Sequence, residues 1–349
     1  MRFPLSDWID SHLGVRHNLG ESGMFGSIRH PLPTEREVRA ADPQELRRSL
    51  ADRVGVDPRR LFLTHGATEA NGSLMLYLGR RTPSSKPRCR VAFPEYPPLF
   101  DGVREAGFLV TEEPGPVDLA VVSQPRNPEG DLWSRDRLET WSEDADHLLV
   151  DETFREFVGT ASVADLARPR VWASGTFTKF FAGDDLRVGF LVAPEAEADE
   201  YARFHGLVCD QVAPYCVAAA LACLREVERI RRDVESILRP NRAAWGAAVP
   251  GEAVPRAPVA FDRRNIPDGQ AFAERALASS VLVCPGRFFG DTRGVRICLT
   301  KKTFPKDLAA YLAVRDARDA STPTRPTRRR PRGVRRPPGG SGRARAGRG

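Results

Sequence analysis

Val171-Trp172-Ala173-Ser174-Gly175-Thr176-Phe177-Thr178-Lys179-Phe180-Phe181, followed shortly by Arg187-Val188-Gly189-Phe190-Leu191-Val192, places two apolar runs around a single lysine. Residues 171–174 and 188–192 run without in-and-out alternation. A strand covered on both faces reads this way. Comparable runs stand upstream at 61–64, 90–93, 119–123 and 148–151. Helical patterns intervene, among them 43–54 and 98–106. Strands alternating with helices predict an α/β fold with a mostly parallel sheet.

After Pro194 the texture changes. A charged helical region runs from Leu224 to about Trp245, then strands are expected at 259–261, 281–284 and 295–299, and a helix at 306–317. These read as a smaller α+β domain. The expected division is an N-terminal segment (1–40), a large α/β domain (41–225), a small domain (226–317) and a tail (318–349).

At 349 residues the chain is long enough for about two domains and a core that needs no disulfide or metal. The +7 net charge belongs to the tail. Of 53 basic residues, ten arginines fall in 320–349, which holds no acid; the rest has 43 basic against 46 acidic residues. The body is therefore mildly acidic, unlike a nucleic-acid-binding fold. The tail is Arg, Pro, Gly, Thr and Ser, a composition with too little apolar surface to fold. It suits a solvated tail, a product of GC-rich DNA read in another frame, or an arm for nucleic acid or a membrane surface.

No apolar run approaches the ~18 residues of a membrane span, and Asp7 and Asp10 argue against a signal peptide. The six cysteines form no CxxC pair, as in a reduced cytoplasmic protein. Cys209, Cys216 and Cys223 are spaced by seven, with Pro214 between them, and are expected to be small core fillers. No HExxH, Walker A or GxGxxG is present, so no metal site is expected.

The chain has only five lysines: Lys86, Lys179, Lys301, Lys302 and Lys306. Lys179 alone follows a buried strand. A lysine can lose its proton and act as a nucleophile, which an arginine cannot. Asp151 ends the strand before it, and ligand groups gather at the carboxyl ends of strands in such sheets. Thr64-His65-Gly66-Ala67-Thr68-Glu69-Ala70-Asn71 joins a strand to a helix through small residues and offers free N–H groups to a phosphate.

This set resembles the class I/II aminotransferases, pyridoxal-phosphate enzymes of fold type I. The resemblance runs in family order over about residues 18–317. It implies that Lys179 forms the aldimine with pyridoxal 5'-phosphate and later moves the Cα proton. Asp151 would pair with the pyridine nitrogen and keep it protonated. Asn127, in Gln124-Pro125-Arg126-Asn127-Pro128-Glu129-Gly130, would donate to the phenolic oxygen and face the substrate. Tyr96, in Phe93-Pro94-Glu95-Tyr96-Pro97, would stack on the ring. Ala67, Thr68, Thr176 and Arg187 would hold the phosphate. Arg296 would bind the substrate carboxylate, and Gly20, in Asn18-Leu19-Gly20-Glu21-Ser22-Gly23, would line the substrate pocket. Alternation supports Arg296 independently, since Val295, Ile297 and Leu299 share the opposite face of their strand.

The family thus implies a cytoplasmic homodimer that exchanges an amino group between an amino acid and a 2-oxo acid by a ping-pong mechanism. The compact small domain resembles the histidinol-phosphate aminotransferase group. A decarboxylase of the threonine-phosphate type, or a β-lyase, would use the same fold. A protein binding nucleic acid through its tail is the alternative of another class. Three departures stand out. Phe154 replaces the family's usual Tyr, whose hydroxyl would reach the phenolic oxygen. Arg126 stands where Asn is common. The Tyr lent to a partner's phosphate site has no counterpart before Pro43.

Overall fold

A computed structural model describes residues 3–84, 86–166, 170–251 and 253–317. In chain order its strands are β1 (His17–Asn18), β2 (Leu61–Thr64), β3 (Arg88–Val91), β4 (Leu109–Thr111), β5 (Val117–Ser123), β6 (Ala145–Asp151), β7 (Val171–Thr176), β8 (Gly189–Val192), β9 (Val259–Asp262), β10 (Val281–Leu282), β11 (Cys284–Pro285) and β12 (Val295–Cys298).

Seven strands form one sheet in the order β2-β8-β7-β6-β5-β3-β4. β3 to β7 run parallel, while β8 is antiparallel to both β7 and β2. The continuous apolar runs have the cause that their pattern suggested. Leu119, Val121 and Leu149 enter one hydrophobic cluster, while Ala120, Val122, Leu148 and Val150 enter another. Both faces of the sheet are thus covered. This is the fold type I architecture expected from the sequence.

Helix Pro43–Val54 shows how local sequence sets an element. The Asp42 side chain accepts from the Gln44 N–H, Pro43 occupies the first turn, and Gly55 ends the helix at φ 81°. Leu46, Leu50 and Val54 bury one stripe. Helix Ala67–Arg81 is different. Gly66 precedes it at φ 95°, and no side chain caps its first turn. Its leading N–H groups are left for something else.

Several expectations need correction. The edge strand β4 was not foreseen; it has three residues and Leu109 is exposed, so its pattern is faint. Residues 281–284 are not one strand. β10 pairs with β1, and β11 pairs with β12, because Val283 turns the chain from one neighbour to the other. The charged helical region expected from Leu224 breaks at Glu226: Leu224 and Arg225 end helix Pro214–Arg225, and helix Val227–Ala248 carries the rest. Among the three spaced cysteines, Cys223 alone is buried. Cys209 lies past the end of helix Ala198–Val208, so no single helix carries a stripe.

β11, β12 and β9 make a small antiparallel sheet. These sheets and the β1–β10 pair lie in one compact unit that ends at Asp316. The arginine-rich tail, 318–349, lies outside the described residues. No described helix is long and apolar enough to cross a membrane.

Candidate active site

Strand register assembles the centre of the site. Ser123 of β5 pairs with Asp151 of β6, which pairs with Ser174 of β7. The carboxyl ends of three parallel strands therefore stand in one row, with Thr176 and the Lys179 loop just beyond. They open into a cavity of about 560 Å³, lined by Lys179, Asp151, Asn127, Tyr96, Ala67, Thr68, Thr176, Arg187 and Arg296 among others. All the expected site residues but one line it. Gly20 is the exception. Its carbonyl instead accepts from Arg296 Nη2 at 2.8 Å, so it acts on the pocket through that arginine.

Asp151 is 3% exposed. Its Oδ2 accepts from Asn71 Nδ2 at 2.9 Å and its Oδ1 from the Thr153 N–H at 2.8 Å. Burial pushes its pKa up, against the pull of those bonds and of the Lys179 charge. Asn71 was missed at the sequence level. Its signal was available: it lies one helical turn beyond Ala67 and Thr68.

The turn expected to hold a phosphate is built from backbone. The uncapped N-terminus of helix Ala67–Arg81 meets the cavity at Ala67 and Thr68. Arg187 Nη2 donates to the His65 carbonyl at 3.2 Å, across Gly66. A Cβ on Gly66 would stand 3.0 Å from that guanidinium, and one on Gly189 would stand 2.5 Å from the Gly66 carbonyl carbon. The strand-to-helix turn and β8 can approach this closely only as glycines. Arg187 itself sits at φ 45°, a conformation that costs a non-glycine residue roughly 1–2 kcal/mol. Strain of this kind concentrates at functional positions.

Behind Tyr96 and Asn127 lies a buried network. Glu95 is 0% exposed and accepts from the Tyr96 N–H (2.7 Å), the Ser123 N–H (2.8 Å) and the Ser123 hydroxyl (2.6 Å). The Ser123 hydroxyl in turn accepts from the Asn127 N–H at 2.8 Å. Arg126, the departure from the family pattern, lies beside it, with Nε 3.9 Å from Glu95 Oε2, and donates to the Ala92 and Pro94 carbonyls. Burial drives the Glu95 carboxyl up to about 7 in spite of that arginine. Tyr96 is pushed to about 12, chiefly by burial, and stays protonated.

Arg296 is 2% exposed on β12. It donates to Asn127 Oδ1 at 3.3 Å and lies 3.4 Å from Cys284 Sγ, and Phe289 packs against its face at 5.0 Å. Asn127 thus spends its oxygen on Arg296 and keeps its amide nitrogen for the cavity. No described carboxylate lies within 4 Å of Arg296, and its Nε has no partner. Asp291, the nearest acid in sequence, pairs with Arg263 and Arg293. A buried guanidinium without an acid is a seat for an anion. Phe154 is 2% exposed and packs edge-on against Phe157. The cavity is also lined by Ser22, from the segment 18–23 that was expected at the pocket, and by Phe3, Leu5, Ser6 and Asp184, for which no role was expected.

The geometry suits pyridoxal phosphate: an amine at Lys179, a buried acid at Asp151, an uncapped helix end with a guanidinium beside it, and an aromatic face. Residues 109–306 match the model of the class I and II aminotransferase family. The chain belongs to that family, whose cofactor is pyridoxal phosphate.

Among its relatives, the histidinol-phosphate aminotransferase of Haloferax volcanii is 32% identical over 142 residues, 39% of this chain and 38% of that protein. Capreomycidine synthase of Streptomyces vinaceus is 28% identical over 349 residues, 84% of this chain and 88% of that one. The solved structure of a PLP-dependent cyclase, OrfR, shares the fold with a TM-score of 0.67 at 22% identity, covering 90% of this chain and 98% of that one. The chain spans well under two thirds of the histidinol-phosphate relative's length and nearly the whole of the synthase.

Proposed function

We propose that this chain is a transaminase that moves an amino group between an α-amino acid and a 2-oxo acid by a ping-pong mechanism. The observation that carries this reading is Arg296, a buried cation with no described acid partner, in one cavity with Lys179 and Asp151. When bound, pyridoxal phosphate supplies an aldehyde for an amine and an electron-poor ring that accepts charge from Cα.

The residues have the following roles. Lys179 Nζ would hold the cofactor through its aldehyde and would carry the proton removed from the substrate Cα. Asp151, held by Asn71 and Thr153, would pair with the cofactor's ring nitrogen and favour its protonated form. Asn127 would hold the cofactor through its free amide nitrogen, and Tyr96 would offer it an aromatic face. Ala67, Thr68, Thr176 and Arg187 hold the phosphate. Arg296 takes the α-carboxylate and so orients the Cα–H bond. Glu95 and Ser123 fix Tyr96 and Asn127 from behind.

We extend the reading to the three-part division of the body at residues 40 and 225, and to a cytoplasmic homodimer. Six unpaired thiols and the exposed Leu32 and Leu207 support the latter.

A second reading has its own support. The relative that aligns over nearly its full length is named a synthase, and a neighbour in fold is a cyclase. Such a reaction would begin with the same proton removal by Lys179 and end without amino transfer. Visible absorption of the loaded protein separates the two. A Lys179-dependent band that bleaches with an amino acid and returns with a 2-oxo acid supports transamination. A band that amino acids perturb but no 2-oxo acid restores supports the synthase type. An identical band in Lys179→Ala overturns both.

A further inference from the structure

We propose that Phe3 and Leu5, at the N-terminal helix, wall the substrate end of this cavity and select an amino acid with an apolar side chain. The inference rests on the reading above, in which Arg296 holds an α-carboxylate.

Helix Pro4–Asp10 follows Phe3 and buries Leu5. Leu5 packs in one cluster with Cys284 and Phe289. Those two side chains lie against Arg296: Cys284 Sγ is 3.4 Å from Nη2, and the Phe289 ring is 5.0 Å from the guanidinium. The cluster therefore sets Leu5 beside the carboxylate end. Phe3 meets the Tyr96 ring edge-on, at 5.9 Å between centroids. The helix thus reaches from Tyr96 to the neighbours of Arg296. Trp8 pins it there, with Nε1 donating to the Val283 carbonyl at 2.9 Å and its ring 6.1 Å from Phe288.

The charged lining is accounted for elsewhere. Asp151, Lys179, Arg187 and Arg296 have their tasks, and Asp184 stands by Lys179, with Oδ1 3.8 Å from Nζ. An α-amino acid held by its amine at Lys179 and its carboxylate at Arg296 sends its side chain to what remains of the lining. By Tyr96 and Arg296 that is Phe3, Leu5 and Pro98, with the hydroxyl of Ser6 on the same helix. An apolar side chain gains by leaving water for such a wall. A charge or an amide gives up more hydrogen bonds than one hydroxyl returns.

The test is equilibrium binding of 4-methylpentanoate and succinamate to the full pyridoxal-phosphate-loaded chain by calorimetry. The two acids have the same shape and charge, carry no amine, and end in an isopropyl group and an amide. The expected result is 4-methylpentanoate tighter by about tenfold, the yield of two buried methyl groups. Leu5→Asn and Phe3→Asn are each expected to cut that ratio by about threefold or more. Equal affinities in the unaltered protein, succinamate the tighter, no binding of either, or a ratio that survives both substitutions overturns the proposal. Phe3 is half-buried and precedes the first turn, where Asn caps well, so Phe3→Asn keeps the test open where Leu5→Asn fails to fold. Arg296→Met should weaken both acids alike and keep the ratio; undiminished binding there would overturn the carboxylate reading rather than the wall. Failure of the transaminase reading is separate again: the acids bind with the expected preference, but no amino acid yields a 2-oxo acid.

Discussion

Replacing Arg296 by Met separates what this residue does for the fold from what it does for a substrate. The guanidinium is 2% exposed, and no described acid stands within 4 Å of it. A buried charge without a counter-ion carries a penalty of several kcal/mol. Its removal relieves that penalty and loses the bonds to Asn127 and Gly20. The Gly20 carbonyl keeps the Cys284 thiol at 3.5 Å, so the loss is about 1–3 kcal/mol. Met fills a similar volume beside Phe289. The two terms largely offset, and Arg296→Met is expected to unfold in urea within about 2 kcal/mol of the parent, on the more stable side. Catalysis behaves otherwise. A forked pair with a carboxylate contributes at least about 3 kcal/mol, so kcat/KM for an amino acid should fall by about 100-fold or more. The amine that lacks the carboxylate controls for general damage, and its kcat/KM should change little. Destabilisation beyond about 4 kcal/mol would mark Arg296 as a structural ion. An equal loss for acid and amine would refute its role in carboxylate binding.

Two further outcomes follow from the packing and the buried acid. Gly189→Ala places a Cβ 2.5 Å from the Gly66 carbonyl carbon, where backbone must move; a loss of about 1–3 kcal/mol in urea unfolding and weaker pyridoxal phosphate binding are expected, and a fully stable variant with unchanged cofactor affinity would contradict the close approach. Glu95 titrates at about 7 in the folded chain, above its value of 4.5 when free. Between those values the folded chain keeps a proton that the unfolded chain gives up, so the stability it contributes is present at low pH and lost as pH rises through 7. Glu95→Gln should flatten that decline, by up to about 1.4 kcal/mol per pH unit; parallel curves for parent and variant from pH 5 to 8 would refute it.

The sequence by itself determined the sheet and the residues at its carboxyl edge. Continuous apolar runs report burial on both faces, and Lys179, Asp151, Asn127 and Arg187 follow such runs or their turns at short range. Alternation along one strand was enough to turn Arg296 away from the core. The switch of partner at Val283 was not legible, because β10 pairs with β1, far back in the chain, and β11 with β12.

Tertiary structure alone decided the rest. Asn71 meets Asp151 across 80 positions, and Glu95 reaches Ser123 across 28. Gly20 serves the pocket through Arg296, 276 positions away, rather than by lining it. Local pattern reports which face of an element is buried. Which polar groups share that burial is settled only when the elements pack.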